Sequence, residues 1–432
     1  MTPRSAHVAA TKPCGNMMPP LGGFAKLGLF TFGLGIFLNV NIVGYVTVSE
    51  LMAALILPVL WFRGMVVLRG PVISVLLNFG MLWVVSAVGT DLYRGNEWAL
   101  MARGVGRVSA FILMLLVFYA LFRRRQDGFQ IMMFGAFISS IVSIFGFRAG
   151  ESEFVLMTGY VMETSWERHY ALVTVMFAFW LSTWLYPKKP MIVSVTLLGI
   201  GVLNMGMGSR NMGAIVLLAG LSSECFRWMK SSFGTRGIGM AFVARAALIL
   251  AIAAGSVYGG YKVAAAQGWL GDAARDKFYA QSSGKLGVLF TSRVDFLAGL
   301  LAVRSSPFIG YGSWARDEQG FLAEAYAIGE LGGAGTSTMY SYFQRIPTHS
   351  AVLEAWVENG LLATGFWLSV LWLMARVAGS GALLDSRWSL FFLLSIFWIG
   401  WNILFSPFAS RGLYAASIAV MALYVEGRRF AR

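Results

Sequence analysis

Residues 104–125 read GVGRVSAFILMLLVFYALFRRR. An apolar run of this length that ends in three consecutive arginines is the pattern of a helix that crosses a bilayer and stops at its inner surface. About 20 mainly apolar residues span the hydrocarbon core, and arginine is retained on the cytoplasmic side. The same unit recurs along the chain. Apolar runs at 24–44, 46–62, 71–89, 104–122, 129–147, 169–186, 190–207, 211–228, 241–260, 349–375, 388–406 and 411–426 predict about 12 transmembrane helices. The expected fold class is therefore all-α, a polytopic membrane protein. Residues 1–23 form a cytoplasmic tail and 24–432 a single transmembrane domain.

Composition agrees. Hydrophobic residues make up 57% of the 432 residues and charged residues 12%, where a soluble domain carries roughly a quarter charged. Mean hydropathy is +0.68. The net charge of +14 would suit a nucleic-acid binder, but the basic residues sit between apolar runs, as cytoplasmic loops hold them. No basic stretch is interleaved with polar and aromatic residues, so no nucleic-acid partner is expected. Two cysteines, Cys14 and Cys225, point to neither a disulfide nor a thiol metal site. His7, His169 and His349 are too few and too scattered for a metal cluster, so no metal is expected, and the chemistry considered below needs no cofactor.

Orientation follows from alternate loops. One set holds Arg63 and Arg69, Arg123 to Arg125, Lys188 and Lys189, Arg227 with Lys230 and Arg236, and Arg376 with Arg387. Both termini belong to it, with Arg4 and Lys12 at one end and Arg428, Arg429 and Arg432 at the other. One opposite loop carries Glu151, Glu153, Glu163 and Glu167. The positive-inside rule puts both termini in the cytoplasm. Residues 261–348 then form one long loop on the outer side, the periplasmic side in a bacterial inner membrane, too polar to span and too long for a simple connector. An amphipathic helix is expected around Arg293–Arg304, followed by a glycine-rich stretch from Gly329 to Gly335. Long loops on rigid scaffolds tend to carry function.

Three segments hold candidate chemistry. Gly208-Ser209-Arg210-Asn211 is a tight turn that sets Arg210 at the outer surface, where it either binds an anion or snorkels to headgroups. In the loop, Arg293 precedes Asp295 and the stretch Pro307-Phe308-Ile309-Gly310-Tyr311-Gly312. An Arg293–Asp295 ion pair would be worth little; Gly310 and Gly312 allow a turn with amides free for an anion. Thr348-His349-Ser350 enters the next helix, where His349 is a cap, an interfacial residue or a general base. Glu354 and Glu358 follow at i and i+4, in or near the membrane, where ionisable groups are expensive and signal function. His349 is nine residues before Glu358, about 180° round a helix. The two do not touch, and Glu358 is expected to brace a neighbouring span.

Taken together, these segments resemble the O-antigen ligase and polymerase superfamily. The resemblance rests on Gly208-Ser209-Arg210, on Arg293 with Leu297, on the Pro-x-x-Gly-x-Gly stretch, and on His349-Ser350 followed after nine residues by Gly360, with Glu358 two before it. It is clearest over about 200–375. Ala363 departs from the ligase pattern, which prefers Gly, Thr or Val at that position. Length and segment order look similar to exopolysaccharide polymerases of the xanthan type.

The resemblance implies metal-independent, inverting glycosyl transfer at the periplasmic face. The donor is a glycan on undecaprenyl diphosphate. Arg210 and Arg293 would bind and stabilise the diphosphate leaving group, since a guanidinium holds phosphate through two parallel bonds. His349 would take the proton of the attacking hydroxyl. Gly310, Tyr311 and Gly312 would line the substrate, with Glu354 and Glu358 in support. Tyr311, Trp314, Tyr340 and Tyr342 could stack on sugars or simply mark the interface. Membrane lipids and other polysaccharide assembly and export proteins are the implied partners. A polymerase is the leading expectation and a ligase acting on lipid A-core its rival. A lipid-linked oligosaccharide flippase would line a mid-membrane cavity with charge and needs no long outer loop.

Overall fold

In a computed structural model of the chain, the described residues are 21–41, 45–66, 70–124, 127–144, 166–207, 209–233, 240–272, 275–276, 278–279, 294–328, 345–385, 387–406, 408 and 411–427. They are overwhelmingly helical. The helices are α1 (Gly23–Leu34), α2 (Val48–Phe62), α3 (Pro71–Arg94), α4 (Trp98–Arg124), α5 (Asp127–Ile144), α6 (Trp166–Trp184), α7 (Pro190–Gly206) and α8 (Arg210–Phe233). There follow α9 (Met240–Ala266), α10 (Val294–Ser305), α11 (Phe321–Ile328), α12 (Ala351–Asn359), α13 (Leu361–Gly379), α14 (Ala382–Asp385), α15 (Ser389–Phe405) and α16 (Arg411–Val425). Every apolar run of the sequence carries one of these helices. Four of them, α3, α4, α5 and α13, are long and apolar enough to cross a membrane. Shorter apolar helices include α1, α2, α7, α15 and α16.

Three expected boundaries are corrected. The first two runs are separated by an antiparallel β-hairpin of Asn39–Asn41 (β1) and Tyr45–Thr47 (β2), so the fold is not purely helical. Thr47 then starts α2 with a capping box: its hydroxyl accepts from the Glu50 amide at 3.2 Å, and Glu50 accepts from the Thr47 amide at 2.7 Å. The loop expected from residue 261 begins later, because α9 continues to Ala266. The run at 349–375 is two helices, α12 and α13, broken at Gly360 with φ 81° and ψ −178°. Only glycine adopts that conformation readily. The helix expected at Arg293–Arg304 is α10, whose first turn holds Asp295 and whose last turn holds Arg304.

Packing follows the needs of apolar helices. Gly33 on α1 and Gly135 on α5 face each other's helix so closely that a methyl at either would meet backbone carbonyl oxygen, the small-residue contact that lets helices approach. Asn204 and Thr174 bond reciprocally between α7 and α6 at 2.8 and 3.1 Å. The centre is aromatic. Trp83, Phe111, Phe366, Trp367, Phe408 and Tyr414 form one buried cluster with ring centroids about 5–6 Å apart.

The polar groups collect at two opposite ends. At one end Glu426 follows α16, accepting from the Ile73 amide at the start of α3 and from Tyr119 near the end of α4. At the other end lie the close of α3, the start of α4, α12, and the connection between α15 and α16. The turn before α8 belongs to this second end. Ser389, which opens α15, donates to the Tyr186 hydroxyl at 3.2 Å, and Tyr186 is bonded to Ser223 well along α8. α15 therefore climbs toward the start of α8, and its last turn reaches Ser350 through the Ile403 carbonyl.

Candidate active site

Ser350 is the N-cap of α12. Its buried hydroxyl accepts from the Leu353 amide at 3.3 Å and donates to the Ile403 carbonyl at 2.7 Å, which anchors the start of the helix to the end of α15. His349 precedes it with φ 38°. A histidine adopts this left-handed region more easily than most residues, but it remains uncommon and is held only where neighbours over-determine it. The imidazole is not buried: 44% of its side chain is exposed. Its Nδ1 lies 2.6 Å from Oδ2 of Asp295, which α10 presents from its first turn.

Behind this pair stands a group of buried charges. Arg107 projects from α4 and meets Glu354 at 2.6 Å and Glu358 at 2.5 Å. The three side chains are 11–13% exposed. Glu354 also accepts the Phe408 amide at 2.7 Å, and Glu358 the Trp314 amide at 3.2 Å. Glu358 thus braces a neighbouring helix as expected, and α12 is tied at once to α4, to the loop and to the approach to α16. The Trp314 ring lies between two cations, Arg107 at 5.3 Å and Arg345 at 3.7 Å.

The Pro-x-x-Gly-x-Gly stretch has a different role from the one expected. The last carbonyls of a helix lack partners within it. For α12 they are supplied from outside. Tyr311 donates its amide to Val357 at 2.7 Å and Gly312 to Glu358 at 2.9 Å. Ser86 and Thr90 of α3 donate their hydroxyls to the Asn359 carbonyl. The amides of Tyr311 and Gly312 are therefore engaged in capping α12 and are not free for an anion, which corrects that expectation. Glycine is required by the fit: a methyl on Gly310 would strike the Glu358 carbonyl, and one on Gly312, at φ 89°, would strike Asn96. The stretch is seated on α3, where Asp91 accepts from the Ser313 amide at 2.6 Å and hydroxyl at 2.7 Å, and Arg94 donates to the Gly310 carbonyl at 2.8 Å. Tyr311 is held under Arg94, whose guanidinium lies 5.0 Å from the ring, and against Phe321.

Arg210 opens α8 at the same end of the bundle as His349. Its guanidinium lies 4.8 Å from the centre of the Tyr261 ring, and among the described residues no carboxylate pairs with it. Arg293, Gly208, Tyr340, Tyr342 and the stretch Gly329–Gly335 lie outside the described residues, as do Glu151, Glu153 and Glu163. Among the described residues no group of three His, Cys, Asp or Glu side chains could hold a metal ion.

Sequence reasoning missed three participants. Arg107 lies inside an apolar run, and an arginine there needs an acidic partner on a neighbouring helix. With Glu354 and Glu358 at helical spacing in another run, the pairing has a signal in the sequence. In the sequence Asp295 stands out only as a neighbour of Arg293, and its partner is His349. Asp91 and its seat for Ser313 have no evident signal.

No family model matches the chain, and neither a curated protein nor a solved structure matches it.

Proposed function

We propose that the chain is a polysaccharide polymerase of a bacterial inner membrane. It spans the bilayer about 12 times and joins undecaprenyl-diphosphate-linked repeat units at the periplasmic face. It does so by metal-independent inverting glycosyl transfer. The observation that carries this reading is a half-exposed histidine on a rigid mount at one end of an apolar helical bundle, with Arg210 at that same end and no acidic partner beside it among the described residues. A base and a cation are the two groups that the chemistry needs. The hydroxyl of one lipid-linked repeat gives its proton to His349 while its oxygen bonds to the anomeric carbon of another. The anomeric carbon–oxygen bond breaks, and the electron pair leaves on the diphosphate, whose growing charge Arg210 and Arg293 stabilise. The products are the lengthened lipid-linked glycan and undecaprenyl diphosphate.

A ligase that passes the glycan to lipid A-core would use the same donor and groups. The two part on what accumulates on undecaprenyl diphosphate in cells lacking the protein: single repeat units for a polymerase, long chains for a ligase. The direct test is purified protein in lipid with a defined lipid-linked donor and acceptor. Wild type should release undecaprenyl diphosphate as product lengthens, and His349→Ala should be slower by about 10²–10⁴ with donor binding kept. No transfer to either acceptor by the wild type would overturn the reading.

A further inference from the structure

Asp295 is the side chain that holds His349, and neither the resemblance nor the reaction above assigns it a part. The contact is built by packing. Ala298 and Ala302 of α10 share one apolar cluster with Leu353 and Val357 of α12, and Gly299 of α10 lies against Thr348. This lays the first turn of α10 beside the residue that precedes α12. The histidine is fixed from the other direction by the Ser350 hydroxyl on Ile403. With 44% of His349 and 28% of Asp295 exposed, the contact adds little to stability, since water competes for both groups. The backbone of His349 is at the same time kept in an uncommon conformation.

The geometry points to Asp295 as the positioning residue of His349: its carboxylate accepts Nδ1–H, fixes the imidazole in the tautomer whose basic nitrogen is Nε2, and steadies the imidazolium formed in the reaction. The role in turnover rests on the glycosyl-transfer reading above; the contact and the tautomer do not. In the step, Nε2 takes the acceptor's proton as the new glycosidic bond forms and the diphosphate departs with its electron pair. The ring then carries a positive charge that the Asp295 carboxylate, 2.6 Å away, balances. A neutral partner at 295 can at best orient the ring and cannot balance the charge.

The test has one arm that needs no activity. The chain has three histidines, His7, His169 and His349. In a His7→Gln, His169→Gln background of the full chain in lipid nanodiscs, ¹⁵N-histidine NMR reads His349 alone. Measured at a pH where the ring is neutral, Nδ1 should be protonated and Nε2 bare. Asp295→Ala and Asp295→Leu, which offer no acceptor, should both lose that preference. Equal tautomer populations in wild type and both variants would overturn the proposal. The second arm is turnover on a defined lipid-linked donor. Asp295→Asn should lower kcat at least about 10-fold with KM for the donor unchanged, and the Asp295→Asn, His349→Ala double variant should be no slower than His349→Ala alone. Losses that add would mean Asp295 acts apart from His349 and would overturn the proposal. Absence of transfer by the wild type would instead sink the glycosyl-transfer reading, a failure the NMR arm does not share.

Discussion

Arg107 and Glu354 stand 247 positions apart in the chain and 2.6 Å apart in the fold. With Glu358 they join α4 to α12 through charges that are almost wholly buried. A buried pair of this kind contributes little compared with apolar residues of the same size, but breaking it by removing one partner is costly.

Arg107→Met should therefore destabilise the protein by about 3–5 kcal/mol. The triple variant Arg107→Met, Glu354→Met, Glu358→Met should recover most of that. Thermal unfolding in detergent would measure this. Equal Tm for wild type and Arg107→Met would sink it.

Gly360→Ala should also destabilise, by about 3 kcal/mol or more. A side chain at φ 81°, ψ −178° costs about 1–3 kcal/mol in backbone strain alone. The added methyl would in addition strike the Phe308 carbonyl. The same unfolding experiment applies, and a Tm within a degree of wild type would show that the break between α12 and α13 does not need glycine.

What the sequence makes legible and what it does not has a physical boundary. The long apolar runs are legible because burying backbone polar groups in an apolar medium demands helix over the whole run. The hairpin at 39–47 is not, since a short apolar segment reads equally well as strand or helix. The break at Gly360 is hidden for a related reason: a glycine inside a helical pattern is tolerated as often as it ends the helix. In the site, His349 and Arg210 can be singled out by chemistry and motif. The Asp295–His349 contact cannot, because it depends on α10 folding back against α12 from far along the loop. Periodicity tells which face of a helix is buried and leaves open what it is buried against. That same gap misassigned the amides of Tyr311 and Gly312, whose partners are carbonyls of a helix much later in the chain.

Arg210→Ala should lower glycosyl transfer by about 10²–10³, the usual loss when one stabiliser of developing negative charge is removed. The fold should be kept, since the contact described for Arg210 is the face of Tyr261. Lysine should restore activity only in part, because an ammonium lacks the planar fork of a guanidinium. Near wild-type turnover in Arg210→Ala would make this an interfacial arginine.

Sidedness can be read with cysteines placed one at a time after Cys14 and Cys225 are replaced. Glu318, exposed in the loop before α11, should be labelled by an impermeant thiol reagent added to whole spheroplasts. Lys188, exposed between α6 and α7, should be labelled only after the membrane is opened. The reverse pattern would move the His349 end to the cytoplasm and remove the periplasmic reaction with it.

The aromatic cluster of Trp83, Phe111, Phe366, Trp367, Phe408 and Tyr414 lies directly beneath the buried charges. The Phe408 amide is on Glu354, and its ring lies 5.8 Å from the Arg107 guanidinium. Its consequence in a bilayer is electrical. An energised membrane drives protons across any wire of water and titratable groups that connects its two faces. On the reading proposed above, the groups that trade protons sit on one side of this cluster of rings, each at most 6% exposed. The cluster is expected to insulate that end from the other, and a change that hollowed it, such as Phe111→Gly with Trp367→Ala, would be expected to show first as a proton leak measured by a pH-sensitive dye inside sealed vesicles.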